Sequence, residues 1–151
     1  PVLQGRYKED PVEYFEDKNI DLLINISASP YSLGKINTRT LLAKKVAKRL
    51  KCPVALVNQV GANDGLLFDG SSCLVSQYDE LLAMAKSFGV DSLIYDTQKP
   101  HAVSPRILEP GHELFMALVM GVKDYFGKQG FSKAVLGLSG GIDSSVVAAI
   151  A

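Results

Sequence analysis

Cysteine is scarce in this chain: Cys52 and Cys73 are the only two, there is no CxxC, and neither has a neighbouring histidine. Neither a zinc site nor a disulfide framework is therefore indicated, and both residues read as buried thiols. Charge of one sign is missing too, since 16 Lys and Arg balance 16 Asp and Glu. No basic field is available to hold nucleic acid. No apolar run reaches the ~20 residues that a bilayer span needs, so no membrane partner is expected. The opening PVLQGRYKEDPVEYF does not have the charged-then-apolar layout of a secretion signal, and a cytoplasmic location is expected. It also has no initiator methionine and begins on a stretch rich in Pro, Gly and charge, as an internal piece of a longer protein would.

What is present is the composition of a folded chain. Hydrophobic residues make up 47% and charged residues 21%, which rules out intrinsic disorder. A length of 151 residues suits one domain or pieces of two.

Strand and helix patterns alternate. DLLINIS, residues 21 to 27, is a near-continuous aliphatic run, the pattern of a strand buried on both faces. A Ser/Pro/Gly loop, SASPYSLGK, follows it. INTRTLLAKKVAKRL, residues 36 to 50, then spaces Leu41, Leu42, Val46 and Leu50 as an amphipathic helix, with Asn37 or Thr38 able to cap its start and Lys51 with Pro53 closing it. PVALVNQV, residues 53 to 60, is the next strand, and strand–helix–strand at this spacing predicts a parallel, neighbouring pair.

GANDG, residues 61 to 65, reads as a turn, with LLFDG and SSCLVSQ after it as antiparallel edge strands. YDELLAMAKSF, residues 78 to 88, has helical composition, yet Gln77 to Glu80 fits a hairpin tip equally well. SLIYDT, residues 92 to 97, reads as a short strand.

Three prolines mark residues 98 to 111 as a connector. Beyond it, Leu114, Phe115, Leu118, Val119, Val122, Tyr125 and Phe126 form one wide apolar helix face ending at Gly127 or Gly130, and KAVLGLS is the strand after it. His101 and His112, in the connector and at the helix start, read as solvated.

The chemistry concentrates in LGLSGGIDSS. Gly137, Leu138, Ser139, Gly140, Gly141, Ile142, Asp143 and Ser144 lie between an apolar strand and a helix start, where unpaired N–H groups and the helix dipole favour an anion. Gly140 and Gly141 let the backbone approach phosphate oxygens, and Ser139, Ser144 and Ser145 can add hydroxyl donors. With no Lys the stretch is not a P-loop, and its glycine spacing is not the dinucleotide fingerprint. Asp143 in the cradle would repel phosphate unless Mg²⁺ bridged them, so a metal–polyphosphate complex is the natural ligand. A plain Gly-Gly turn with Asp143 or a serine as N-cap is the alternative.

SGGIDSS after an apolar strand resembles the pyrophosphate loop of N-type ATP pyrophosphatases, which binds the part of ATP that leaves as pyrophosphate while a substrate group is left adenylated. Upstream, NISASPYSLGK and NQVGANDGLLFDGSS resemble the second half of a nitrilase-like carbon–nitrogen hydrolase domain. The two in this order, joined by a connector and helix, resemble the arrangement of the glutamine-dependent NAD synthetases.

The resemblance implies an α/β fold: the C-terminal part of a nitrilase-like αββα glutaminase domain over 1–97, a linker over 98–111, and over 112–151 the start of an adenine-nucleotide alpha-hydrolase-like, Rossmann-like parallel-sheet domain. It implies ATP and Mg²⁺ as cofactors, with Asp143 toward the metal, and glutamine and nicotinic acid adenine dinucleotide as further small-molecule partners. It also implies a homo-oligomer. Ser29 and Lys35 match the family's glutamine-contacting positions; without the resemblance they read as an exposed loop with Ser29 capping a turn.

The Glu-Lys-Cys triad of that family falls before residue 1, and neither Cys52 nor Cys73 matches its nucleophile. The chain alone is thus expected to be inactive. The resemblance further settles YDELLAMAKSF as turn plus strand. Rival readings keep the loop with another substrate, as in GMP synthetases, or keep only the phosphate cradle in a non-catalytic piece.

Overall fold

A computed structural model describes residues 9–106 and 108–151. After a short helix, α1 (Glu13–Glu16), come strand β1 (Leu23–Ser27), helix α2 (Lys35–Leu50) and strand β2 (Val54–Asn58). β1 and β2 pair in parallel from Leu23 opposite Val54 to Ser27 opposite Asn58, as the strand–helix–strand spacing predicts. β3 (Val60–Asn63) and β4 (Leu66–Asp69) form a separate antiparallel ribbon. β5 (Cys73–Val75) and β6 (Leu81–Met84) complete a four-stranded sheet in the order β1-β2-β5-β6. Helices α3 (Pro110–Gln129) and α4 (Ile142–Ile150) follow.

The core lies between α2 and the sheet, where Ala43 and Ala47 meet Val54, Cys73, Val75 and Leu81. The buried stripe of α2 is Arg39, Ala43 and Ala47, one turn apart, whereas Leu41 is 52% exposed. This corrects the leucine-face expectation in part: the small alanines let the helix axis close on the sheet, Val46 packs beside them against the core with Leu42 and Leu50 half-buried, and Leu41 turns outward. The expected caps are corrected as well. α2 starts at Lys35 behind Gly34, whose φ of 73° only glycine adopts freely, so Asn37 and Thr38 lie inside the helix. Lys51 does close it, at φ 54°.

Among the described residues β1 is an edge strand, not one buried on both faces, and leaves Ile24 58% and Ile26 82% exposed because α2 covers only one side. The turn expected over 61–65 narrows to Asp64 and Gly65, with Gly61 to Asn63 inside β3. β5 is no edge strand either; it lies between β2 and β6. The 78–88 segment forms the expected turn and strand, since pairing with β5 overrides its helical composition.

Two expected strands do not form. Residues 92–97 have no strand partner among the described residues; with the sheet face carrying Ala55, Leu74 and Ala83 they border an open apolar groove of about 720 Å³. Residues 133–139 are likewise unpaired, with Val135 and Leu138 exposed. A strand needs a neighbour for its N–H and C=O groups, and none of the described residues supplies one.

α3 opens with Pro110 as its first residue, earlier than the connector boundary, and closes at Gly130, φ 72°. It packs with Glu113, Ala117 and Met120 inward, while Leu114, Phe115, Leu118 and Tyr125 of the expected apolar face stay exposed. Its inward face abuts the ribbon, where a Cβ on Gly121 would stand 3.2 Å from Leu67. No helix among the described residues is long and apolar enough to cross a membrane.

Candidate functional site

The first locus is the loop between β1 and α2. Asn58, at the end of β2 and 7% exposed, accepts the Ser29 amide at 2.9 Å and donates to the Gly70 carbonyl at 3.0 Å. Its own amide reaches the Ser72 hydroxyl at 3.0 Å. One buried amide side chain thus fixes the loop against two neighbouring segments. Ser29 borders a groove of about 370 Å³ whose wall includes Asn25, Ser27 and Arg39. Lys35 does not line it: its ammonium folds back on the Pro30 carbonyl at 2.6 Å. Ser29 lies in the loop and Lys35 opens α2 behind it, and Lys35 would have to swing to share a ligand with Ser29.

Beneath the loop Arg39 and Asp69 form a buried bidentate pair, with Nη1 donating to Oδ1 at 2.8 Å and Nη2 to Oδ2. Ser71 donates to the same carboxylate at 3.3 Å and meets the Ser87 hydroxyl at 2.9 Å. Arg39 Nε is buried without a partner among the described residues, as is the Tyr31 hydroxyl. Burial, and next the charge of Glu113, push the Tyr31 phenol up to about 12. Glu113 itself is buried and accepts the Gly34 amide at 3.2 Å.

Burial raises the thiol pKa of both Cys52 and Cys73, so neither is poised as a thiolate. They are the buried, unpaired thiols the sequence predicts. His101 and His112 are exposed, also as expected.

The second locus is the turn before α4. Gly140 has φ 82°, and a Cβ added there or at Gly137 would meet nothing within 4 Å. Gly141 is the N-cap of α4 and receives no side-chain cap, which sets aside the reading of Asp143 or a serine as the cap. The hydroxyls turn onto the turn itself. Ser144 and Ser145 donate to the Gly141 carbonyl at 3.0 and 2.9 Å, and Ser139 accepts the Gly141 amide at 3.3 Å. Leu138, Ile142 and Asp143 are exposed, and the Asp143 carboxylate makes no hydrogen bond or ion pair among the described residues. Open backbone, a free helix head and one unengaged carboxylate remain. No group of three potential metal-ligating side chains occurs among the described residues, so a cation here would need oxygens from its ligand.

Reasoning from sequence missed Asn58, the Arg39–Asp69 pair and Glu113. The usable signal was a charged residue in register with Ala43 and Ala47 on the inward stripe of a helix, which demands a buried counter-charge.

Residues 114–151 match the family model described as NAD synthase. The chain is 44% identical, over 98% of its length, to a glutamine-dependent NAD(+) synthetase of Synechocystis sp., and 35% identical over 99% to one of Acinetobacter baylyi. It spans 28% and 29% of those proteins. A solved glutamine-dependent NAD(+) synthetase of Acinetobacter baumannii in complex with ADP superposes with a TM-score of 0.82 at 38% identity, over 92% of this chain and 27% of that one. By sequence and by fold, nearly the whole length of the chain is similar to one stretch of the glutamine-dependent NAD(+) synthetases.

Proposed function

We propose that the protein carrying this chain amidates nicotinic acid adenine dinucleotide to NAD, with ammonia taken from glutamine and ATP cleaved to AMP and pyrophosphate. The observation that carries the reading is the turn at the head of α4. It has Gly140 with open space where a Cβ would point, an uncapped helix start and an unengaged Asp143, inside the segment that matches the NAD synthase model. Such a turn suits the phosphate end of ATP, because main-chain amides donate without desolvating a cation and the helix dipole adds to them. Ser144 and Ser145 would exchange the Gly141 carbonyl for phosphate oxygens. Asp143 would hold Mg²⁺ jointly with the phosphates; when bound, the ion would offset the charge of the leaving pyrophosphate. The dinucleotide's carboxylate attacks the α-phosphorus, pyrophosphate departs, and ammonia then displaces AMP.

Within this reading, residues 1–97 are the later part of a nitrilase-like glutaminase and 112–151 the start of an adenine-nucleotide alpha-hydrolase-like domain, with 98–111 between them. Ser29 and Lys35 contact glutamine, a hydroxyl and a cation suiting its α-amino and α-carboxylate groups. The triad that hydrolyses the amide is supplied from outside this chain, and the complete protein works as a cytoplasmic homo-oligomer. The test is an assay of the complete protein for AMP release that requires glutamine, ATP and nicotinic acid adenine dinucleotide together. Amidation of a different nucleotide, such as xanthosine monophosphate, in place of the dinucleotide would overturn the reading.

A further inference from the structure

α2 starts without a side-chain cap of its own. Its N-cap, Gly34, offers no side chain, and no acidic residue lies in its first turn. The positive end of a 16-residue helix, with Lys35 at its first position, therefore meets the loop that holds Ser29 with no local counter-charge. The counter-charge comes from far along the chain. Glu113, in the first turn of α3 and 9% exposed, accepts the Gly34 amide at 3.2 Å across 79 residues of sequence. The same carboxylate bears on the buried Tyr31 hydroxyl, in the middle of that loop. Asp69 and Arg106 border the small cleft beside it.

The other end of α3 is held as firmly. Asp124 accepts the Ala62 amide at 2.6 Å, and Lys128, one turn on, donates to the Ala62 carbonyl. Some eleven residues separate the two anchorages, roughly 16 Å of helix at ~1.5 Å per residue. The helix cannot shift at one end without straining the other.

We propose that Glu113 is a positioning residue: a cap supplied in trans by α3 that sets the shape of the 29–35 loop and so tunes glutamine binding. This rests on the reading of Ser29 and Lys35 as glutamine contacts. It goes further in making the loop's competence depend on a helix that belongs to the segment leading to the phosphate turn.

The experiment uses the complete protein and two nitrogen sources, glutamine and ammonium. Glu113→Ala raises the KM for glutamine about tenfold while kcat and KM with ammonium stay at wild-type values. Glu113→Gln keeps an acceptor and restores most of the affinity, and amide exchange across residues 31–36 quickens in the alanine variant only. Should Glu113→Ala fail to fold, Glu113→Asp, which withdraws the oxygens by one methylene, gives the same signature at smaller amplitude. The proposal is overturned by an unchanged glutamine KM, by an equal loss with ammonium, or by Glu113→Gln behaving as Glu113→Ala. Ser29→Ala and Lys35→Ala distinguish the two layers. If neither moves the glutamine KM, the underlying assignment fails; if they do and Glu113→Ala does not, the tether alone fails.

Discussion

Asp124 on α3 accepts the backbone amide of Ala62 on β3 at 2.6 Å, taking the place a neighbouring strand would hold. Lys128 takes the carbonyl of the same residue. An acid and a base at i and i+4 thus close the open edge of the ribbon with side chains, an arrangement that also blocks edge-to-edge pairing with another molecule.

That clamp leaves no room at Gly61. Its φ is 120°, and a Cβ there would stand 2.9 Å from Asp124 Oδ2. Gly61→Ala therefore destabilises the complete protein by about 1–3 kcal/mol, and Asp124→Ala by a similar amount through the orphaned amide. The double variant loses less than the sum, because removing the carboxylate removes the clash. Urea unfolding of the three variants measures this.

The Arg39–Asp69 pair is buried on both sides, at 7% and 4% side-chain exposure. Asp69→Ala strands a guanidinium beneath the loop and costs about 3–5 kcal/mol. Replacing both partners, Arg39→Met with Asp69→Leu, recovers most of that loss. Thermal unfolding of the single and double variants decides it.

Tyr31 gives a pH signature with a definite sign. Its phenol is raised from an ordinary 10.0 to about 12, so above pH 10 the unfolded chain releases the proton first and the folded chain is penalised. Stability falls as pH rises between those values. Tyr31→Phe removes this alkaline loss, and near pH 7, where the phenol is protonated in both folded and unfolded chains, leaves the pH dependence unchanged. Denaturant midpoints from pH 7 to 11 check both limbs.

Periodicity and turn chemistry were enough to read the parallel pair β1–β2 and the helices α2 and α3, because each is decided by local pattern; the 78–88 hairpin came from the resemblance, since its composition is helical and pairing with β5 overrides it. Which face each helix buries was not legible. The leucines of α2 and α3 look like the inward stripe, but alanines and a glycine make the close contacts, and that choice is set by the approach of another element. The strands expected over 92–97 and 133–139 show the same limit: an apolar run announces a strand but cannot supply its partner. At the site, the glycine turn was visible as a string of residues. Asn58 and Glu113 were not, since each matters through one contact with a residue distant in sequence.

Asn58 offers a further test at the first locus. Asn58→Leu keeps the volume but leaves the Ser29 amide and the Gly70 carbonyl unpaired, costing about 1–3 kcal/mol of stability. The KM for glutamine rises severalfold while the ammonium-driven reaction is spared.

The claim on which the account turns is that the head of α4, with Asp143, holds the phosphates of ATP. Its most direct test is the rate of ammonium-driven, ATP-dependent amidation in the complete protein, wild type against Asp143→Ala, over a range of Mg²⁺ concentrations. The account predicts a fall of about 100-fold that added Mg²⁺ does not repair. An unchanged rate, with the wild-type dependence on Mg²⁺, would contradict it.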